Sequence, residues 1–287
     1  MDFPPNSTAI LAEFLCKIGD ESDRPRSALN VAGAALRHVY RALALRDLTR
    51  DVHIERLIMA LIKSQTLGPM TKSKVMPTEK FSEMFRAWGK NSTLNIKKLR
   101  MKAITLMALT TMLRPSDIAP KAVLFDEESD SGKKVIFKTD MIQTTELGLN
   151  VTLFGIKNDT TRTGFEISIP RHSDELIDPV AAIEEYIKAT SDMRSDGGVF
   201  IGLNKPYKAI SAAAVGKVLE EAIGLAGLAG MGFTAKSFRP TGATKAIERG
   251  IEPEIVQKVG RWKSTDVFYQ HYVHSRTPVE FTDAILE

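Results

Sequence analysis

The stretch GRWKSTDVFYQHYVH, residues 260–274, sets two phenols, Tyr269 and Tyr272, beside Arg261, Trp262, Lys263 and two histidines, with Asp266 as its one acid. A phenol among cations has two readings. Either its ring is the buried face of a helix, or its oxygen is a nucleophile aimed at a phosphate. Further cations stand at turns and element ends: Arg114 in TTMLRPSDIA, Lys157 in LFGIKNDTTRTG, and Lys236 and Arg239 in TAKSFRPTGA. The last two open a helix, whose free amide groups favour an anion. Taken singly, such cations are ordinary solvated surface. Gathered on one tyrosine, they would make a phosphoryl-transfer site.

Other chemistries lack their residues. The histidines lie at 38, 53, 172, 271 and 274 and no carboxylate cluster has ligand spacing, so no metal site is expected. The glycine-rich GLAGLAGMG follows a helical pattern rather than a strand and reads as a helix end and turn, so no nucleotide or other cofactor is expected. No nucleophile-elbow or Cys–His arrangement is present. The single cysteine, Cys16, reads as a buried thiol beside Leu15, excludes an internal disulfide framework and suits a reducing compartment. No apolar run reaches the length of a membrane span, and MDFPPNSTAI lacks a basic-then-apolar signal, so an intracellular protein without a membrane partner is expected.

The net charge of +4 is a weak pointer to nucleic acid, but its distribution is stronger. From Met84 to Ser116 there is no Asp or Glu, while Arg86, Lys90, Lys97, Lys98, Arg100, Lys102 and Arg114 accumulate. So one-sided a run predicts a positive face for a polyanion, or else a solvated helix face.

The positioning elements follow from periodicity. STAILAEFLCKIG, RSALNVAGAALRHVYRALAL and DVHIERLIMALIKSQ carry apolar residues at helical spacing, the second with Leu29, Ala32, Leu36, Val39, Tyr40 and Leu43 on one stripe. TLGPMTKSKVMPTEK reads as a linker. Beyond it come TEKFSEMFRAWGK, with Thr78 as expected cap, and LNIKKLRMKAITLMALTTML. The period then changes, and KKVIFK, LNVTLFGIK and TGFEISIP read as the three strands of a small sheet. Helices resume at DPVAAIEEYIKAT, at ISAAAVGKVLEEAIGLAG and from Lys236 onward. The expected fold is mainly α with a small three-stranded antiparallel β-sheet, divided into a helical domain over 1–66, a linker over 67–77 and a larger domain over 78–287.

In order, Arg114, Lys157, Lys236-x-x-Arg239, Gly260-x-Trp262 and Tyr272 resemble the active-site signature of the tyrosine recombinases, the phage-integrase family. TTMLRPSDIA is similar to its first arginine box, with Asp117 at the acidic position. KSFRPTGATKAIERGIEPEIVQKVGRWKSTDVFYQHYVH is similar to its second box throughout. The resemblance covers about residues 78–275, and the helical region before the linker is similar, more loosely, to the family's core-binding domain. RPSDIA and GRWKS look closest to versions from eukaryotic mobile elements. Three features depart from the usual pattern: Lys236 and Trp262 stand where histidine is common, and the Trp262–Tyr272 interval of ten residues is one longer than usual.

The resemblance implies a two-domain recombinase that cuts and rejoins DNA through a 3′-phosphotyrosyl intermediate without metal. Tyr272 is then the nucleophile, Arg114 and Arg239 clamp the phosphate, Lys157 is the general acid, Lys236 and Trp262 assist, and Asp117 and Tyr269 support. It also implies double-stranded DNA as partner, contacted by Arg86, Lys90, Lys97, Lys98, Arg100, Arg37 and Arg41. It further implies a homo-oligomer, a dimer on paired sites and a tetramer in synapsis, with the tail 276–287 docking on a neighbour or folding back. The setting is nuclear in a eukaryote, or cytoplasm and nucleoid in a bacterium, and the purpose is recombination or integration of a mobile element. A type IB topoisomerase-like nicking and closing enzyme would share these residues. A catalytically retired DNA-binding derivative is the rival from another class.

Overall fold

The computed structural model describes residues 3–23, 25–64, 74–119, 123–126, 129–134, 137–154 and 163–272. The chain divides into two compact units, Met1–Thr71 and Lys72–Glu287. The first is helical. Ser7 caps α1 (Thr8–Glu21) through a hydrogen bond from the Ile10 amide, and α2 (Pro25–Ala42) and α3 (Val52–Ser64) follow. Leu11, Leu15, Leu29, Leu36, Tyr40 and Ile54 form the core. The Tyr40 hydroxyl donates to the Pro5 carbonyl at 2.7 Å, which satisfies its polar end inside that core. Leu43 falls just beyond the end of α2 and is exposed, so the apolar stripe closes at Tyr40.

The second unit is built around one helix. After α4 (Thr78–Trp88), Asn95 caps α5 (Ile96–Thr111) by accepting from the Lys98 amide at 2.9 Å. The cap expected at Thr78 falls to Pro77, with Thr78 the first helical residue and no side-chain cap bond formed. Buried residues lie on every side of α5, as befits a helix at the centre of a domain rather than on its face. The short α6 (Pro115–Ile118) turns the chain away.

A hairpin of β1 (Val123–Asp126) and β2 (Ser129–Lys134) precedes the sheet formed by β3 (Ile142–Thr145), β4 (Gly148–Leu153) and β5 (Phe165–Pro170), antiparallel in that order. The three-stranded sheet is thus present, but its first strand is IQTT and not KKVIFK. Of that segment, Lys133 and Lys134 end β2, residues 135 and 136 lie outside the described residues, and Lys138 makes only an isolated bridge to Gly198. α7 (Pro179–Ala189), capped by Asp178, and α8 (Ala212–Leu225), capped by Ser211, pack on α5. α9 (Phe238–Glu248), α10 (Pro253–Gly260) and α11 (Thr265–Tyr272) complete the unit. Among the described residues no helix is long and apolar enough to cross a membrane.

Candidate active site

α5 ends on Met112 in the left-handed conformation (φ 54°), a costly state for a residue with a side chain. The bend turns the Met112 carbonyl toward α9 and delivers Arg114 to the start of α6. There the buried Asp117 carboxylate accepts from the Arg114 amide at 3.0 Å and lies 3.7 Å from the Arg114 guanidinium. The arginine is therefore held by its backbone while its side chain stays partly exposed.

Arg239 is held in another way. It projects from the first turn of α9 and is 5% exposed. One terminal nitrogen donates to the Met112 carbonyl at 2.7 Å and the other to the Gly260 carbonyl at 2.5 Å. Its guanidinium lies over the Trp262 ring at 4.0 Å. Burial, and then the neighbouring Arg114 charge, push its pKa down to about 10, so it remains a cation at neutral pH.

Two glycines allow this closeness. A Cβ on Gly242 would meet the Leu109 carbonyl at 2.3 Å, so α9 rests directly on the backbone of α5. A Cβ on Gly260 would sit 1.7 Å from the Trp262 ring. Trp262 in turn packs on Phe268 and Tyr272, with ring centroids at 4.9 and 4.5 Å. Together with Met112, Ala243 and Val256 these rings form a small separate core beneath the site.

Tyr272, Arg114, Arg239 and Lys236 line one cleft of about 770 Å³, with Ala212, Gly216 and Glu220 of α8 on its far wall. Lys236 lies in the 3₁₀ turn Ala235–Ser237, fixed by Thr234 accepting from its amide. Tyr269 is turned elsewhere: its hydroxyl donates to Glu254 at 3.0 Å on the surface, and that carboxylate pushes its pKa up. Lys157, Arg162, His274 and the tail 276–287 lie outside the described residues.

The acid-free run is not one free positive face. Arg86 pairs with Asp174 at 2.7 Å and Lys97 with Glu221 at 2.6 Å, both carboxylates supplied by other parts of the fold. Arg100 donates to the Ile201 carbonyl at 2.8 Å, and Lys102 is wholly buried near the Phe85 ring. Lys90 is exposed, and Lys98 lies over Trp88 at the surface. In the first unit Arg37 donates to Thr49 at 3.1 Å and Arg41 is exposed. Met112 and Gly242, which matter to the geometry, are not singled out by sequence reasoning, and Gly260 and Arg261 are named there only as neighbours of Trp262, without a role. Gly242 has a signal in the run of small residues after Arg239, and Gly260 and Arg261 have theirs in the Gly-Arg-Trp triplet; Met112 has none.

Several solved structures share the fold. A λ integrase dimer bound to a COC′ core site matches at a TM-score of 0.55 and 15% identity, covering 97% of this chain and 68% of that one. XerH recombinase bound to a palindromic difH substrate, a post-cleavage complex, matches at 0.58 and 13%, covering 99% and 73%. The Tn1549 transposon integrase with circular intermediate DNA matches at 0.53 and 12%, covering 100% and 87%. Comparison with curated proteins gives no match. The model of the phage integrase family matches residues 74–278, a span that holds the whole cleft, and the chain belongs to that family.

Proposed function

We propose that this protein is a tyrosine recombinase that cuts and rejoins duplex DNA through a 3′-phosphotyrosyl intermediate. The observation that carries the reading is that Tyr272, Arg114 and the Lys236–Arg239 pair, from three segments distant in sequence, line one cleft, while Tyr269 points away to Glu254. The Tyr272 oxygen attacks the phosphorus, the bond to the 5′ oxygen breaks, and the electron pair leaves on that oxygen. Negative charge gathers on the non-bridging oxygens, where planar guanidiniums at Arg114 and Arg239 are well shaped to receive it. Each terminal nitrogen of Arg239 already donates to a carbonyl, while its buried Nε has no hydrogen-bond partner among the described residues and is a donor left for a phosphate oxygen.

Lys236 donates to a phosphate oxygen or accepts the phenol proton. Trp262 walls the site from water that would hydrolyse the intermediate. The 5′ oxygen takes its proton from Lys157, a role resting on its place in the order of motifs and on the turn-prone segment that carries it. The reading requires no metal, because the cations supply the charge stabilisation. The phosphotyrosyl link conserves the bond energy, so a 5′-hydroxyl strand reverses the reaction and rejoins DNA.

The partner is double-stranded DNA, and the working form is a homo-oligomer, by analogy with λ integrase, which forms a dimer on a core site and a tetramer on a Holliday junction. The first helical unit would act as the core-binding domain, and the Tn1549 relative favours a mobile-element setting. The test is a suicide duplex whose cleaved strand cannot religate. A covalent protein–DNA band on a denaturing gel is expected, and its absence would leave a DNA-binding derivative. Lys157→Ala should slow cleavage by about 10²–10⁴-fold on normal DNA. A 5′-thio leaving group needs no proton and should restore most of that rate. Rescue of Lys236→Ala instead would move the acid role there.

A further inference from the structure

We infer that Arg261, through Asp117, is a positioning residue that sets Arg114 and locks the tryptophan–tyrosine segment to the arginine turn. This rests on the functional reading above. Arg261 is 9% exposed, and its guanidinium stands 3.8 Å from the same Asp117 oxygen that accepts from the Arg114 amide and faces the Arg114 guanidinium. It also lies over the Phe165 ring of β5 at 5.3 Å. Its neighbours on either side serve Arg239 directly, Gly260 by its carbonyl and Trp262 by its ring. One residue thus joins three segments distant in sequence: the turn before α6, the sheet, and the C-terminal helices.

The electrostatics give that junction a consequence. Asp117 is buried between two arginines, and its charge is shared. With Arg261 removed, the carboxylate has one guanidinium left, and the 3.7 Å gap to Arg114 is free to close into a direct fork. That would turn Arg114 from the cleft toward the protein interior. Arg261 also adopts a left-handed backbone (φ 61°), a conformation in which glycine is favoured, so the side chain is kept at a conformational cost.

That backbone supplies the variant. Arg261→Gly suits the turn and removes the guanidinium, while Arg261→Lys keeps a charge. Cleavage of a suicide duplex by Arg261→Gly should fall about 10–100-fold, the scale of a misplaced catalytic group, with DNA affinity within about twofold. Arg261→Lys should recover part of the rate. In an Arg114→Ala background the same glycine substitution should cost nothing more, because the residue it positions is already gone. Equal losses in both backgrounds, or no loss in either, would overturn the inference. If the unsubstituted protein forms no adduct, the functional reading falls. The link is then decided by thermal unfolding of Arg261→Gly, Asp117→Asn and the double variant: non-additive shifts in Tm uphold it and additive shifts refute it.

Discussion

Between Met84 and Lys102 three of the cations, Arg86, Lys97 and Arg100, answer to the protein itself, whereas Arg114, Lys236 and Arg239 converge on a cleft. The first group is the more suggestive in sequence, because it contains no acid. Its partners come from far along the chain: Asp174 for Arg86, Glu221 for Lys97 and the Ile201 carbonyl for Arg100. The second group is sparse in sequence and dense in space. A local charge run reports only what is absent nearby, while a site depends on which elements pack together.

Removing Arg239 should break the contrast most severely. Arg239→Ala deletes a preorganised donor, and cleavage should fall by about 10²–10³-fold. It also strands the buried Met112 and Gly260 carbonyls, at about 1–3 kcal/mol each, so Tm should fall as well. Arg86→Ala, by comparison, should change either quantity little, since its partner Asp174 is partly exposed. Loss of activity without loss of stability would mean that the two carbonyls are solvated in the variant.

Gly242→Ala comes next. The added methyl meets the Leu109 carbonyl, which belongs to a helix backbone and cannot swing aside. A loss of about 1–3 kcal/mol is expected from the overpacking, with cleavage reduced up to about 10²-fold as α9 shifts Arg239. An unchanged rate would show that α9 does not set that arginine. Gly224→Ala is the control, because nothing lies within 4 Å of a Cβ there.

Lys102 sharpens the other side of the comparison. Burial lowers its pKa from 10.5 to about 8, although Asp174 and Glu175 pull the other way. The unfolded chain therefore binds the proton more tightly than the folded one. Stability should rise as pH goes from about 8 toward 10.5, and the penalty should be fully present below that window. Lys102→Met should raise Tm at neutral pH and abolish that rise, which thermal melts across the window would check.

The smallest effect concerns salt. Lys90 and Lys98 are exposed, and neutralising either one should flatten the log–log salt dependence of DNA binding by about one unit if it meets a phosphate. Arg100→Gln should leave the slope unchanged, because that side chain serves the Ile201 carbonyl. A flattened slope for Arg100 would return it to the DNA face.

Helices with a strong apolar period are legible in the sequence, and so is the order of Arg114, Lys236, Arg239, Trp262 and Tyr272. Strand IQTT is not, because it is four residues long and its exposure alternates weakly. The start of α4 differs by one residue from the pattern because Pro77 already fixes the backbone for entry into the helix. Only the resemblance to the family's second box favours Tyr272; the residue types alone do not separate the two tyrosines. Three residues apart on α11, they differ in what α9 and α10 present to them: Glu254 to Tyr269, and the cleft to Tyr272. Gly242, Gly260 and Arg261 matter through close approach and a shared carboxylate, neither of which leaves a periodic mark.

The central claim, that Tyr272 is the nucleophile, is tested most directly by the covalent adduct itself. Tyr272→Phe and Tyr269→Phe are each incubated with the suicide duplex, and DNA binding is measured in parallel. The account predicts that Tyr272→Phe binds DNA normally and forms no adduct, while Tyr269→Phe forms it, the linked peptide carrying Tyr272. An adduct with Tyr272→Phe, or its loss only with Tyr269→Phe, would contradict the account.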